Sequence, residues 1–347
     1  MKPIMSFWSV PKKLGIENKW INEESWYLSW ILSVLSITKS YTRPTLYTDD
    51  EGADLLIGKM GLEFAEINLN LNDIKNVNPH FYSIGKAIAV KQQTSDFIHI
   101  DNDCYVWEKI PNEYFSSGVF YLRELLSNFD FSQKERYCIL HRPDIFSKYI
   151  KNLPEWWNHH LIGNQIKAYE SGIFGGSNID FFHEWSNIVL EMIQGNDADI
   201  WDIIDKESRK DYAIEADPLT ASYGYVPSYT LDEYLPSCLA TRKSIIPNFA
   251  TNSYGMTFTR ITHISSDKSR YSDLHGRLLS RVQKDYPQYL DNLYSNGLIK
   301  SKSAKNPTVT VSILPRRGVS VYDTVLRCVV PRKLQPDQII VIDNGIS

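Results

Sequence analysis

Short apolar runs alternate with longer amphipathic stretches through the first hundred residues. Residues 4–10 are mostly apolar and close on Pro11, which predicts a strand. Residues 23–39 carry Trp26, Trp30, Leu32, Val34, Leu35 and Ile37 at helical spacing, and Pro44 marks the end of the connection that follows. Residues 45–49 predict a second strand and 50–60 a second helix, with Asp49 or Asp50 as its N-cap and Gly61 as its stop. A third strand at 62–67, a third helix at 81–93 and a fourth strand at 97–100 complete the series. Strand and helix in alternation predict an α/β fold built on a parallel sheet.

The chain beyond is less regular. Residues 114–126 read as extended and then helical, 134–140 as an additional strand, and 143–150 and 155–161 as helices. Residues 169–176 form a short apolar strand closing on Gly175 and Gly176, and 179–194 a helix whose buried face carries Phe181, Phe182, Trp185 and Val189. A helix at 197–204, an irregular segment at 237–249, a strand at 256–264 and a helix at 273–282 follow. Residues 297–305 are small, polar and basic, the composition of a linker.

Over 347 residues, 43% hydrophobic and 22% charged, the chain can bury a sizeable core. A formal net charge of −4 argues against a general nucleic-acid binder. The first residues lack the apolar core of a signal peptide, and the longest apolar stretch, 26–37, is broken by serines and too short to span a bilayer. A cytoplasmic protein without a transmembrane segment is therefore expected. Cys104, Cys138, Cys238 and Cys328 are scattered, with no C-x-x-C pair, which suits reduced thiols.

The fourth predicted strand runs straight into Asp101-Asn102-Asp103. Carboxyl ends of strands are where α/β sheets place their ligands. On a continuing strand Asp101 and Asp103 would project to one side, two hard oxygen ligands for Mg²⁺ or Mn²⁺ beside the phosphates of a nucleotide. The plainer alternative is a polar strand end with a turn. The cluster Trp156-Trp157-Asn158-His159-His160 reads as a packed aromatic segment, because adjacent helical histidines rarely share one ion. No Ser-His-Asp order, P-loop or Gly-x-Gly-x-x-Gly stretch competes for the active site.

Four segments in order, Tyr47-Thr48-Asp49, Ile100-Asp101-Asn102-Asp103, Gly172-Ile173-Phe174-Gly175-Gly176, and Thr262-His263-Ile264 followed by Lys268, resemble the GT-A nucleotide-diphospho-sugar transferases, over residues 4–290. More narrowly they resemble a bacterial family of that superfamily. The resemblance implies a Rossmann-like, mainly parallel sheet flanked by helices. It also implies a metal-dependent glycosyltransferase that moves a sugar from a nucleotide-diphosphate donor to a glycan, lipid-linked or peptide acceptor, with surface glycan assembly as the expected setting. Mn²⁺ or Mg²⁺ would be held by Asp101, Asp103 and His263, with Lys268 as a point charge on the diphosphate. Tyr47, Thr48, Asp49, Asn102 and Lys86 fall on the nucleotide side, and Gly175 and Gly176 on the sugar side. Asp49 could equally cap a helix, Lys86 and Lys268 be solvated lysines, His263 a structural histidine and the glycine pair a turn. Glu170-Ser171 departs from the asparagine and small residue that related sequences carry before the glycine segment.

The expected organisation is a transferase domain at 1–296, with a nucleotide-binding half at 1–103 and an acceptor and metal half at 104–296, a linker at 297–306, and a short βαβ-like segment at 307–347. That last segment resembles the opening of an inverting family-two glycosyltransferase without a second Asp-x-Asp, so it is read as a truncated second domain, or else as a docking or oligomerisation element. Two rival functions stay open: a non-catalytic nucleotide- or carbohydrate-binding protein on the same scaffold, and a sugar nucleotidyltransferase. The basic loop such a nucleotidyltransferase carries after its first strand has only a faint echo in Pro11-Lys12-Lys13-Leu14-Gly15.

Overall fold

The computed structural model describes residues 1–15, 20–74, 76–128, 142–157, 165–210, 226–251, 261–264, 268, 273–300, 310–313 and 338–341. The chain divides into two units, Met1–Leu298 and Ile299–Ser347. The larger holds strands β1 (Lys2–Phe7), β2 (Thr45–Thr48), β3 (Glu66–Asn68), β4 (Phe97–Ile100), β5 (Cys104–Val106), β6 (Phe120–Asn128), β7 (Gln165–Gly176), β8 (Asn248–Thr251) and β9 (Ile261–His263). Seven of them form one sheet in the order β3-β2-β1-β4-β7-β6-β8, while β5 and β9 make a separate antiparallel ribbon.

The first four strands of the sheet are parallel, β7 is antiparallel to β4 and β6, and β8 returns parallel to β6. The fold is therefore α/β with a mainly parallel sheet, and residues from both halves of 1–296 share it. Antiparallel pairing of Ile100 with Ile173 carries Glu170, Ser171 and Gly172 past the carboxyl end of β4.

Side chains alternate across the strands. On one face Ile4, Phe97, Phe174 and Tyr121 join the main core beneath helices Ile84–Lys91 and Ile179–Gln194. On the other face Phe7 meets Trp26 and Trp30 of helix Glu23–Ser40, with ring centroids 5.4 and 5.5 Å apart. Asn22 caps that helix by accepting from the Ser25 N–H, and its serines Ser25, Ser29, Ser33 and Ser36 are all buried.

Several expectations change. The first strand stops at Phe7, and Ser9–Lys13 is already helical. The third shortens to Glu66–Asn68. Residues 120–126 are strand, not helix, because β6 is hydrogen-bonded on both sides, to β7 and β8, and that pairing overrides the helix-like spacing of its leucines. The irregular segment at 237–249 is a helix, Leu235–Arg242, followed by β8. The strand expected at 134–140 and the histidines His159 and His160 lie outside the described residues, as does most of the strand expected at 256–264, of which Ile261–His263 is seen.

In the smaller unit, β10 (Thr310–Ile313) and β11 (Gln338–Val341) pair in parallel, and the stretch between them, where the βαβ reading expects a helix, lies outside the described residues. Among the described residues no helix is long and apolar enough to cross a membrane.

Gly175 and Gly176 have φ of 156° and 148° and sit where backbones nearly touch. A Cβ on Gly175 would lie 2.2 Å from the Phe97 carbonyl oxygen, and one on Gly176 2.0 Å from that of Gly118. Gly176→Ala is expected to cost about 3 kcal/mol, through backbone strain and overpacking together. Urea denaturation reads this as a lowered midpoint, and an unchanged midpoint would show that the strand can open to admit a methyl group.

Candidate functional site

The apolar run of β4 is fully buried and ends at Ile100. The chain then turns, closed by the Cys104 N–H donating to the Asp101 carbonyl at 3.1 Å, while the Asp101 N–H donates to the Gly172 carbonyl at 2.9 Å. Asp101 and Asp103 therefore do not alternate along a strand as expected, and their carboxylates diverge to different partners. Helix Glu23–Ser40 fixes the turn from behind. Ser33 Oγ donates to the Asp101 and Cys104 carbonyls at 3.0 and 2.8 Å, Ser29 Oγ to the Asn102 carbonyl at 2.7 Å, and Ser36 Oγ accepts from the Val106 N–H at 3.0 Å. Three- and four-residue spacing puts these hydroxyls on one helix face.

Asp101 turns toward helix Ile84–Lys91. Lys86 is buried there, with its ammonium 2.8 Å from Asp101 Oδ2 and 2.9 Å from Asp232 Oδ2. Ser171 Oγ donates to that same Asp232 oxygen at 2.6 Å. Asp232 comes from a π-helical turn, Thr230–Tyr234, and its Oδ1 is buried without a hydrogen-bond partner among the described residues. His99, wholly buried and stacked on Phe174, faces Asp101 Oδ1 at 3.7 Å through Nδ1 and Ser6 Oγ at 2.9 Å through Nε2.

Asp103 turns toward the β5–β9 ribbon. Its Oδ2 lies 2.8 Å from the Lys268 ammonium and its Oδ1 3.7 Å from His263 Nε2. His263 Nδ1 is 3.2 Å from Glu170 Oε1, and the other Glu170 oxygen is 2.9 Å from Arg123 Nε. A Cβ on Gly172 would meet Cys104 Sγ and His263 Nε2 at 3.0 Å each, so the ribbon closes tightly on β7 at a residue without a side chain.

Four carboxylates thus face three permanent cations and two imidazoles. Burial lifts Asp101 to about 7, with Asp103 and Asp232 adding to it against the pull of Lys86. Burial also works against the Asp103 carboxylate, but Lys268 and His263 outweigh it and hold its pKa down at about 2. Burial opposes a charge on His263, yet Glu170 and then Asp103 raise its pKa above 6.5. Glu170 is held low by His263 and Arg123 in spite of its burial. Burial, with the charge of Lys86, keeps His99 neutral.

The structure brings Asp101, Asp103, Asn102, Lys86, His263 and Lys268 to one edge of the sheet. It does not bring Gly175 and Gly176 there, since they pair with Ile98 and Phe97 toward the opposite end of β4. Asp49 caps helix Asp50–Ala53 through Gly52 N–H at 2.8 Å and takes the Ser9 N–H and hydroxyl on its other oxygen. Tyr47 and Thr48 are buried, bonded to Gln93 and to the Phe7 carbonyl.

The metal expectation fits part of this arrangement. Asp103, Cys104 and His263 offer ligand atoms that all lie within 4.8 Å of one another. The Glu170 contact orients the far nitrogen of His263, as carboxylates do for metal-ligating histidines. The Asp101 carboxylate instead faces Lys86.

A family model described as "Family of unknown function (DUF6734)" matches residues 1–296. The chain belongs to this family. No curated protein matches the DUF6734 chain. Solved structures that align with it include a nucleoside-diphosphate-sugar pyrophosphorylase from Vibrio cholerae RC9, at 10% identity, covering 80% of this chain and 100% of that one with a TM-score of 0.37. An inositol-1-phosphate CTP transferase from T. maritima aligns at 11% identity, covering 82% and 96% with a TM-score of 0.34. A galactosyltransferase, LgtC, in complex with donor and acceptor sugar analogs aligns at 7% identity, covering 84% and 100% with a TM-score of 0.36. At such TM-scores these likenesses carry no argument about function.

Sequence reasoning missed Asp232, Glu170, Ser171, Arg123 and His99 in this DUF6734 site. The departure at Glu170-Ser171 was the one available signal, because both residues reach the cluster.

Removing Lys86 leaves Asp101 and Asp232 facing each other in a buried place. Lys86→Met is expected to cost about 3 kcal/mol or more, and Asp232→Asn in the same chain to restore part of it. A urea double-mutant cycle showing additive losses would break this coupling. Protonated His263 stabilises the fold fully below pH 6.5, and that contribution is lost as pH rises through its higher folded-state value. A proton NMR titration is expected to place His263 above 6.5, and lower in Glu170→Gln; a native value at or below 6.5 would contradict the ion pair.

Proposed function

We propose that the chain is a glycosyltransferase that moves a sugar from a nucleotide-diphosphate donor to an acceptor hydroxyl or amine on a glycan, lipid or peptide. One observation carries the reading: at the carboxyl edge of the parallel strands, Asp103 and His263 present an oxygen and a nitrogen 3.7 Å apart, with Lys268 beside them. The motif order Asp101-Asn102-Asp103, His263, Lys268 supports the same reading.

Cleaving a sugar from a diphosphate builds negative charge on the leaving group, and fixed cations lower that barrier. Asp103 and His263 would hold Mn²⁺ or Mg²⁺, with Cys104 within reach; a bound cation supplies neutralisation of the diphosphate. Lys268, clamped by Asp103, gives a positioned point charge on the same side. Lys86, held by Asp101, Asp232 and Ser171, gives a second that needs no reorganisation when the donor arrives. Glu170 and Arg123 keep His263 in register. A cytoplasmic setting and a role in bacterial surface glycan assembly belong to this reading.

A thermal-shift panel of nucleoside diphosphates and nucleotide sugars, with and without Mn²⁺, tests the proposal. Stabilisation is expected only with Mn²⁺ present, together with slow release of nucleoside diphosphate that falls by about a hundredfold in Asp103→Asn. Nucleotide-sugar formation from a triphosphate would make the chain a nucleotidyltransferase. Metal-independent binding without turnover would make it a binding protein, and no shift with any nucleotide would sink all three readings.

A further inference from the structure

A second recess lies across the ribbon from the acid cluster. In β5 and β9, Cys104 and His263 face Gly172, whereas Tyr105 turns the other way to meet Ser29 Oγ at 2.8 Å, and Trp107 Nε1 donates to Thr262 Oγ1 at 3.0 Å. On that second side, where helix Leu274–Asp285 packs against helix Glu23–Ser40, a cavity of about 340 Å³ is lined by Ser36, Lys39, Trp107, Arg281 and Tyr286.

The chemistry of the lining is selective. The Arg281 guanidinium carbon sits over the Trp107 ring, 4.6 Å from the centroid, and its Nε is engaged by Asp285. The ring and the Asp285 carboxylate together hold the guanidinium at the recess. Among the described residues its two terminal amino groups have no partner, and no carboxylate pairs with Lys39. No acidic side chain among the described residues lines the cavity. A guanidinium held at the recess, with the Lys39 ammonium in the same lining, matches an oxyanion, bidentate on Arg281 with Lys39 as a point charge. The two aromatic walls, Trp107 and Tyr286, are half-buried and suit the apolar face of a sugar ring. The volume stands at the lower end of the range for small-molecule pockets, the scale of one ring and its charged substituent rather than of a whole nucleotide sugar.

We propose that this recess binds a small anionic sugar, a single ring carrying a phosphate or a carboxylate, through Arg281 and Lys39 against Trp107 and Tyr286. The site is separate from the nucleotide site proposed above and stands without it.

The test is calorimetric titration of the full chain, with no nucleotide present, using glucose 6-phosphate, glucuronate, glucose and inorganic phosphate as probes. Saturable binding of at least one charged sugar is expected, at least about tenfold tighter than glucose or phosphate alone, and weakened by added salt. The relative strength of glucose 6-phosphate and glucuronate names the anionic group. Arg281→Gln and Lys39→Ala, both at exposed positions, are each expected to weaken it about tenfold with an unchanged circular dichroism spectrum. Asp103→Asn should leave this binding intact. The proposal is overturned if neither charged sugar binds up to about 10 mM, if glucose or phosphate alone binds as well, if both pocket variants bind normally, or if Asp103→Asn abolishes binding.

Discussion

Burying several carboxylates at one edge of a sheet is possible only when cations are delivered to them from elsewhere in the chain. Here Asp101, Asp103, Glu170 and Asp232 are met by Lys86 from a helix, Arg123 from β6, His263 from β9 and Lys268 beyond it. Each cation comes from a different element. Removing Lys86 strands Asp101 and Asp232, while Asp103 and Glu170 share His263 between them, so the charge balance ties the parallel strands, the antiparallel strands and the ribbon into one cooperative arrangement. The antiparallel course of β7 is part of this balance, since it is what carries Glu170 and Ser171 beyond the end of β4.

The balance also bears on chemistry. Two lysines already occupy the acid cluster, and both are held by carboxylates whose own positions are fixed by backbone hydrogen bonds. Both ammonium groups are thus held in fixed places by oxygens of the chain itself.

The alternation of apolar runs made the parallel strands legible in the sequence, and an apolar strand ending in acids marked the edge where the cluster lies. The turn at Asp101 was not legible. A strand and a turn share the same residues, and what decides between them here is a hydrogen bond from Cys104 and the hydroxyls of a distant helix. Lys86 stayed open between the nucleotide side and surface charge, because lysine is seldom buried; its burial depends on Asp232, which sits in a segment with no local pattern pointing back to β4. The expectation that 114–126 would turn helical after an extended start failed for a related reason, since leucine spacing is local and strand pairing is not. The glycine pair was conspicuous in sequence for a reason that concerns packing: Gly175 and Gly176 are demanded by the neighbouring carbonyls of Phe97 and Gly118.

The row of serines on helix Glu23–Ser40 grips carbonyl and amide groups of residues 101, 102, 104 and 106, never their side chains. Mount and payload are therefore separable. The position of the acidic turn is written in a helix about seventy residues upstream, in polar atoms indifferent to what the turn displays. In a chain built this way the helix helps to place the backbone at 101–103, and what the side chains of Asp101 and Asp103 must answer to is the charge of Lys86 and Lys268.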